Sequence, residues 1–488
     1  MQIRMILVLI AVFLVVGGCM VGPDYSRPVT PADGVEGYSL TPSQWAVADK
    51  LDVSQIWWKS FNDPVIDEFV QKALAKNFDL KVAAARVIEA EALLAQSHGR
   101  RLPDVEYSGV RSRSKVSFPS PFGERTGYIN KTYGQDITVN YMVDFFGKLK
   151  RLEQASFADL LATEANRTAL THSIIAQVVR SRVRVATQQR LLATAQANIK
   201  SRTNTLKVVE RRYDSGLTSP LDVYQAKENL ATAKSAEPIV KESLLLAQHS
   251  LEVLVGAAPG TTEIVPDTLP ELPELTAIPV GLPASLLDRR PDLRSAEFQL
   301  KASNERIGAS IAEMYPDFTL TGVGGYQADH FRDMFDIDNQ VYSFIMRLAA
   351  PIYKGGRLKA QVKAAKARTE QAAANYSGLV LKALQEVEDS LVSQEYLAQS
   401  ALNQKERLAQ ALKGEKLANE RYSQGLEILL VVLDTERRRR LAEDQYILTK
   451  ALLYNSRVNL FLALGGDWKI DQKTADENNV NGAGIDNE

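Results

Sequence analysis

Cysteine and histidine are scarce in this 488-residue chain, which contains one Cys and four His. One Cys cannot form an internal disulfide, and so few soft ligands argue against a metalloenzyme or a thiol-based catalyst. A charge excess of either sign is also missing, because 58 basic and 59 acidic residues leave a formal net charge of -1. The chain therefore lacks the bulk basic excess that nucleic acid would need, and nucleic acid is not an expected partner.

Motifs of common enzyme sites are missing as well. The sequence contains no Gly-rich phosphate loop after a strand, no His-x-x-x-His metal pair and no nucleophile elbow. An enzyme would need a convergent polar constellation of this kind. We therefore expect no catalytic activity and no metal site.

The amino terminus carries an export signal. The first 18 residues, MQIRMILVLIAVFLVVGG, combine a positive residue with an apolar run that is too short for a comfortable membrane span. The Val-Gly-Gly before Cys19 resembles the lipobox of bacterial lipoproteins, which implies that Cys19 becomes lipid-modified. By the same resemblance, Met20 after the Cys favours the outer membrane. The alternative is an ordinary export signal followed by a chance cysteine. Apart from the covalent lipid on Cys19, no cofactor is expected.

A long internal repeat organises the rest of the chain. RRYDSGLTSPLDV, residues 211–223, matches ERYSQGLEILLVV, residues 420–432, at an offset of 209 residues. Gly256 and Gly465 also align at this offset, whereas positions earlier in each half align at 213. The difference of four residues (213 minus 209) falls near the polar stretch SFPSPFGERTGY and predicts a longer loop in the first copy.

The repeat sets the expected domain boundaries. Its unit is far longer than the period of a solenoid repeat. We predict an extended segment at 19–60, repeat 1 at 61–256, a Pro-rich connector at 257–283, repeat 2 at 284–466 and a flexible tail at 467–488.

Each copy has the same order of secondary-structure patterns. A segment rich in good helix formers comes first, at 63–99 and at 283–313. Alternating apolar and polar residues then predict two strands per copy. A run without Pro follows and predicts helices about 100 Å long at 1.5 Å per residue. Return helices are predicted at 220–255 and 428–464.

Each long helix is predicted to end in a hairpin tip. Glycine suits the left-handed conformation that closes a helix, and both repeated phrases contain one. In the first copy, Ser219 before Pro220 has the pattern of an N-cap and a first helical residue. The tip motifs consist of Arg212, Tyr213 and Gly216 in the first copy and of Arg421, Tyr422 and Gly425 in the second.

A seam of mostly small residues runs along the second long helix. Its members recur at steps of three, four and seven, which is the spacing of helices that pack closely along their length. A soluble antiparallel bundle would use the same period and stays an alternative. The seam consists of Ala360, Ala364, Ala367, Ala374, Gly378 and Leu381.

Four short strands raise a topological problem for an exported, lipid-anchored chain. Four strands cannot close a barrel, and a membrane tolerates no open sheet edge. Several chains would therefore have to share one barrel. An ordinary periplasmic sheet is the alternative.

The sequence resembles the outer-membrane factor family of TolC-like channels, and within it the NodT-type lipoprotein branch of multidrug efflux systems. The resemblance covers nearly the whole mature chain. It rests on CMVGPDYSRP, WWKSFNDPVIDEFVQKAL, NFDLKVAAARVIEAEA, LLDRRPDLRSAEFQLKASNERIGASIAEMYPDFTLTG and both RY-x-x-G phrases. It implies a mixed, mainly α fold in which a homotrimer shares a 12-stranded transmembrane β-barrel and a long periplasmic α-helical barrel.

The resemblance also implies a function and partners. The chain would be the outer-membrane channel of a tripartite efflux pump, extending into the periplasm. It would receive drugs or other small molecules from a periplasmic adaptor (a membrane fusion protein) and an inner-membrane transporter. A channel for protein secretion is an alternative, and a periplasmic adaptor lipoprotein is another.

By the same resemblance, inward side chains near the hairpin tips would form a periplasmic gate. One carboxylate from each of three chains would make an anionic ring that favours cations. Val431 and Glu427 depart from residues common in the family, so a ring built mainly from Asp434 is expected. A solvated charge is the alternative for each gate residue, especially along Arg437–Arg440. The implied gate residues are Asp222, Leu430, Asp434 and Arg437, with Tyr422 near the intrachain links.

Overall fold

The computed structural model describes residues 20–34, 57–119, 123, 125–261 and 286–466. Cys19, the signal at 1–18 and the tail at 467–488 lie outside the described residues, as does nearly all of the connector. Of the segment predicted as extended at 19–60, the described part contains two short 3-10 helices, Pro31–Gly34 and Trp57–Phe61.

The two copies contain the same α-helices and strands in the same order, as the sequence predicts, and the second copy adds two 3-10 helices, Phe331–Asp333 and Ile337–Asn339, between its strands. The first has helices α1 (Pro64–Lys76) and α2 (Phe78–Gly99), strands β1 (Asp104–Pro119) and β2 (Arg125–Val143), and helices α3 (Lys148–Asp214) and α4 (Pro220–Leu254). The second has α5 (Leu286–Arg289) and α6 (Pro291–Ala312), then β3 (Asp317–Ala328), β4 (Gln340–Ala349), α7 (Arg357–Ser423) and α8 (Leu429–Ala463).

The long helices have the predicted length. Helices α3 and α7 each contain 67 residues, and the return helices α4 and α8 each contain 35. At 1.5 Å per residue, 67 residues correspond to about 100 Å. No helix in the described part of the chain is both long and apolar enough to cross a membrane.

Local side-chain contacts explain why the first helical segment is split in two. The carboxylate of Asp63 accepts a hydrogen bond from the Val65 amide and caps α1, which has Pro64 at its start. Asn77 then interrupts the helix in an extended conformation. Its side-chain oxygen accepts a hydrogen bond from the Asp79 amide at 2.9 Å, so the residue that ends α1 also caps α2.

All four strands form one antiparallel sheet in the order β1-β2-β3-β4. The middle pair joins the two repeats, because Val143 of β2 lies opposite Phe318 of β3. Near the helices the sheet has one apolar face, since cross-strand partners share a face. This apolar face contains Val105, Tyr107, Ile137, Val139, Tyr141, Val143, Phe318, Leu320, Tyr342, Phe344, Met346 and Leu348.

The prediction of a longer loop in the first copy is wrong. Ser117 pairs with Gly127 within the β1–β2 ladder, so most of the stretch SFPSPFGERTGY is strand. The added length lies in the strands, because β1 and β2 have 16 and 19 residues whereas β3 and β4 have 12 and 10. Polar residues at alternate positions are compatible with an exposed strand, which the loop prediction overlooked.

The chain divides into two compact units. The first contains the described parts of Met1–Pro28, Arg86–Glu164 and Ser295–Tyr376. The second contains the described parts of Val29–Ala85, Ala165–Arg294 and Ser377–Glu488.

A buried arginine organises the first unit. The Arg151 side chain on α3 is 2% exposed and pairs with Glu305 on α6 at 2.7 Å and with Asp24 at 3.1 Å. The same guanidinium donates to the Gly22 carbonyl at 3.4 Å. Gly22 has φ +105, and a Cβ there would lie 2.5 Å from the Cα of Gly308. The first described residues are thereby fastened to helices from both repeats.

The second unit has an aromatic core. Trp57 stacks on Phe461 with ring centroids 5.4 Å apart, and Phe61 stacks on Tyr454 at 5.9 Å. Buried aliphatic residues from α1, α3 and α4 complete the cluster, including Ile66. This core holds the start of α1 against the carboxyl-terminal part of α8.

The predicted seam of small residues lies at the surface of the described chain. The buried side chains of α7 are on other positions, among them Tyr376, Val380 and Leu391. Helix α7 therefore packs within the chain through a different face. The seam residues Ala360, Ala364, Ala367, Ala374, Gly378 and Leu381 are all exposed.

Candidate gate at the hairpin tips

The two hairpin tips have the same backbone conformation. Gly216 and Gly425 have φ values of +70 and +80. In the first tip the Leu217 amide donates to the Arg212 carbonyl, and in the second the Leu426 amide donates to the Arg421 carbonyl. These bonds close each long helix as a Schellman motif, for which glycine is the favoured residue. Both glycines thus have the left-handed conformation that closes a helix.

The two return helices begin differently. Ser219 caps α4, and Asp222 completes a capping box by accepting from the Ser219 amide. The Asp222 carboxylate also accepts a hydrogen bond from the Thr218 hydroxyl. Ile428, at the matching position of α8, makes no side-chain cap. Asp222 thus has a local structural role in addition to any role in a gate.

A direct contact joins the tips of the two hairpins. The Arg212 guanidinium donates to the Tyr422 carbonyl at 3.0 Å and lies over the Tyr422 ring, 5.0 Å from its centroid. Tyr213 and Arg421 lie outside this contact: Tyr213 is exposed, and Arg421 faces Glu427 at 3.8 Å. The two copies of the tip motif therefore have different contacts, because the arginine of the first copy contacts the tyrosine of the second.

Tyr422 belongs to a small apolar core between the hairpins. It packs with Val209, Leu429 and Val432, and Val431 lies half-buried at the edge of the same cluster. Burial raises the pKa of the Tyr422 hydroxyl, Arg212 opposes this rise, and Asp222 adds to it. The tyrosine stays neutral at ordinary pH and serves as a packing and stacking group.

Asp434 lies in the second turn of α8 beside two arginines. Its carboxylate contacts Arg437 at 2.6 Å and Arg438 at 2.5 Å. The hydrogen bond from Arg437 leads the interactions that lower the pKa of Asp434. With two positive charges against one, this group carries a net positive charge. Leu430, one turn nearer the tip, is 63% exposed and free to point at a neighbouring surface.

A buried polar network lies next to these residues, and the sequence reasoning missed it. Arg439 is buried, although a solvated charge was the alternative given for the run 437–440. It pairs with Glu415 of α7 at 2.7 Å and with Glu443 of α8 at 2.5 Å. Arg437 and Arg438 are exposed, which fits the alternative of a solvated charge, whereas Arg439 does not fit it.

The network extends from α8 to the first hairpin. Arg439 donates to the Asn198 side chain of α3, and the Thr205 hydroxyl of α3 donates to Glu436 at 2.7 Å. Burial raises the pKa of Glu436 and of Glu415 above the ordinary carboxyl value. Its members lie on three different helices, so no spacing within the sequence brings them together.

Comparison with known proteins gives the chain a family. A family model described as outer membrane efflux protein matches twice, over residues 69–257 and 282–466. These two matches span most of the chain. The chain belongs to the outer membrane efflux protein family.

Individual relatives of this outer membrane efflux protein are similar over nearly their whole length. The solvent efflux pump outer membrane protein SrpC of Pseudomonas putida is 29% identical over 470 residues, which is 94% of this chain and 97% of the relative. The pyoverdine export outer membrane protein OpmQ of Pseudomonas aeruginosa is 30% identical over 454 residues, or 91% and 94%. The solved structure of the outer-membrane channel OprN is similar with a TM-score of 0.84 and 27% identity, covering 92% of this chain and all of that one.

The family membership confirms three expectations from the sequence. The fold is mainly helical and TolC-like and is built from two repeats, the location is the outer membrane, and the function is efflux. The family is one of channel components rather than enzymes. Among the described residues, no group of His, Cys, Asp and Glu could hold a metal ion.

Proposed function

We propose that three copies of this outer membrane efflux protein form the exit channel of a tripartite pump. The sheet carries this proposal. It has two edge strands, β1 and β4, and the apolar side chains of β4 are largely exposed, with Tyr342 86% and Phe344 72% accessible. An exposed apolar edge invites pairing with another strand. Pairing β4 of one copy with β1 of the next, three times over, would give a closed 12-stranded barrel of the kind that a membrane accepts.

The exposed seam on α7 supports the same assembly. Small residues leave room for a neighbouring helix to approach closely along its length. Five small residues of the seam, together with Leu381, lie at the surface of the described chain, where a second copy could cover them. The long helices of three copies would then enclose a tunnel about 100 Å long.

The hairpin tips would close this tunnel and receive its partners. The gate assigned to Asp222, Tyr422, Leu430, Asp434 and Arg437 lies where the return helices begin. Several large apolar side chains at the tips are exposed, including Leu217, Leu221, Leu426 and Ile428. Such a patch fits a protein partner. A periplasmic adaptor that inserts there, with an inner-membrane transporter behind it, would separate the tips and admit cargo.

The cargo would consist of small molecules. Relatives are described as exporting organic solvents and pyoverdine, which are both small compounds. A channel for protein secretion and an adaptor lipoprotein are the competing functions, and the two matched repeats favour a channel over an adaptor.

A lipid on Cys19 would add an anchor to the barrel. Two or more acyl chains give stable attachment, since each buried methylene contributes about 0.8 kcal/mol. We expect Cys19→Ser to abolish incorporation of labelled palmitate while Ser26→Ala, a nearby control, keeps it. Continued labelling of the Cys19→Ser protein would contradict the anchor.

Electron microscopy of the purified, detergent-solubilised protein tests the proposed assembly. We expect a threefold tube with a membrane ring at one end and a helical extension of about 100 Å. Single channels in a planar bilayer should then conduct ions. A slender monomer, or a ring without a membrane part, would contradict the channel and favour the adaptor.

A further inference from the structure

Four basic side chains continue the apolar face of the sheet towards the β1–β2 turn. We call Arg111, Arg113, Lys115 and Lys131 the basic cluster. Alternation along β1 puts the first three on the face of Val105 and Tyr107. Arg113 lies directly opposite Lys131, and Arg111 lies opposite Tyr133. The cation–aromatic contact of Arg111 with Tyr133, at 5.6 Å, agrees with this assignment.

The cluster lies beyond the apolar residues of the sheet, after a polar and an aromatic position of β2. Along β2 the apolar face runs from Val143 to Ile137, Gln135 follows, and Tyr133 pairs with the first arginine. Ten residues separate Val143 from Tyr133 (143 minus 133). At about 3.3 Å per residue and a tilt of about 40°, this corresponds to a height of about 25 Å, which is the height of the apolar band of a transmembrane sheet.

The cluster has no compensating charge of its own. Among the described residues, none of its four side chains takes part in an ion pair, and all four are exposed. Arg113 opposite Lys131 is a like-charged pair, which destabilises a sheet unless an anion lies between the two. The nearest acidic residue of β2, Asp136, points to the other face, where it accepts a hydrogen bond from Ser108 at 2.7 Å.

The second hairpin of the sheet differs. After β3, Arg332 pairs with Asp333 at 3.2 Å, and further aspartates surround it in the sequence. Excess positive charge is therefore confined to the β1–β2 hairpin. It also lies on the apolar face rather than on the polar face, which is the side expected to line a channel.

We propose that the basic cluster binds the phosphate groups of anionic lipid headgroups in the leaflet on the side of the β1–β2 turn. This inference rests on the proposed channel, whose sheet spans the membrane. The guanidinium groups of Arg111 and Arg113 offer paired donors to phosphate, and the two lysines add point charges. Acyl chains of the same lipid would lie along the apolar band below. The bound headgroup would hold the turn at a fixed depth in the membrane.

Lipid selectivity of the full-length protein tests this site. The protein is reconstituted into phosphatidylcholine membranes with a spin-labelled lipid, and the association of labelled phosphatidic acid is compared with that of labelled phosphatidylcholine. We expect a preference of about threefold or more for phosphatidic acid, which 0.5 M NaCl weakens. Replacing all four cluster residues with Ser should bring the preference close to one. The matched control replaces four exposed helical lysines, Lys241, Lys382, Lys405 and Lys413.

Three outcomes would overturn the inference. The first is an unchanged lipid preference in the cluster variant, and the second is an equal loss of lipid preference in the control variant. The third is displacement of the lipid by inorganic phosphate at equal concentration, which would indicate a site for free phosphate. If the cluster variant does not assemble, the unmodified protein tests the site by itself. No preference for phosphatidic acid over phosphatidylcholine, or a preference that 0.5 M NaCl does not weaken, would then overturn the inference. Conductance recorded from the same preparation tests the channel separately, so a conducting protein without lipid preference contradicts only the lipid site.

Discussion

Arg212 makes a polar and a stacking contact from one hairpin tip to the other. It donates to the Tyr422 carbonyl and stacks on the ring, and its side chain is half-buried. We expect Arg212→Met to remove about 1 kcal/mol of tip stabilisation, after allowance for partial exposure. Looser tips should raise single-channel conductance in a planar bilayer.

The neighbouring arginine provides the control for this prediction. Arg211 is exposed, and its side chain reaches only the Lys207 carbonyl of its own helix. Arg211→Met should leave conductance unchanged. Equal conductance of the two variants would mean that the Arg212 contact does not restrain the tips.

Asp434 makes a second prediction at the residue scale, because two guanidinium groups accompany its carboxylate. Because this group carries a net positive charge, a ring built from it would not be anionic, and we expect no preference for cations. Since Arg437 and Arg438 lower the pKa of Asp434, its charge persists as the pH falls to the ordinary carboxyl value of 3.8 and is lost only below it. Asp434→Ala should raise conductance and shift the reversal potential in a salt gradient towards anions. If neither changes, Asp434 does not line the constriction.

Residues whose role depends on backbone conformation were easier to predict from the sequence than residues whose role depends on contacts with other helices. Gly216 and Gly425 were predictable because only the left-handed conformation closes the helix there. Arg439 was not, since the run of four arginines has no pattern that separates its one buried member. Burial of that side chain follows from Glu415 and Asn198 on other helices, which sequence spacing cannot bring together.

At the scale of elements, the polar network makes the packing of α3, α7 and α8 sensitive to pH. Burial raises the pKa of Glu436, so the folded chain binds this proton more tightly than the unfolded chain. Stability therefore falls as pH rises from the ordinary value of 4.5 through the raised pKa, and it is regained on acidification. Glu415 and Asp444 shift in the same direction.

Glu436→Gln should remove part of this dependence. The amide oxygen can still accept from Thr205, whereas the titrating group is gone. We expect the difference in Tm between pH 5 and pH 8 to become smaller than in the unmodified protein. Glu242→Gln, at an exposed site of α4, should leave the difference unchanged. A Glu436→Gln protein with the full pH dependence would assign the effect to other groups.

The strands show another limit of the sequence at the element scale. The existence of four strands was predictable from alternation, but the ends of β1 and β2 were not. Pro and Gly near residues 119–127 indicated a loop, although the ladder continues to Pro119 opposite Arg125. An exposed strand has few apolar residues, so its sequence lacks the alternation that marks a strand. Pro and Gly in such a segment then predict a turn.

At the scale of the whole molecule, one chain leaves surfaces that make sense only when covered. The sheet has unpaired edges, and the small residues of α7 lie outside the core of the described chain. The residues that the sequence predicts to form a packing seam are therefore exposed and can contact a second copy of the chain. Their partner could not be inferred from an intrachain pattern, because both an intrachain bundle and an oligomer use the same spacing.

Enlarging the seam tests whether it is the surface between copies. Ala367→Leu adds side-chain volume where close helix approach needs a small residue, and overpacking costs about 1–3 kcal/mol at each site. A trimer contains the substitution three times, so we expect the trimeric fraction in detergent, measured by mass photometry, to fall well below that of the unmodified protein. Lys366→Leu adds an apolar side chain at an exposed neighbouring position outside the seam and should leave the trimer intact. If both variants assemble equally well, helices of different copies do not meet at Ala367, and the strand edges must hold the trimer without this seam.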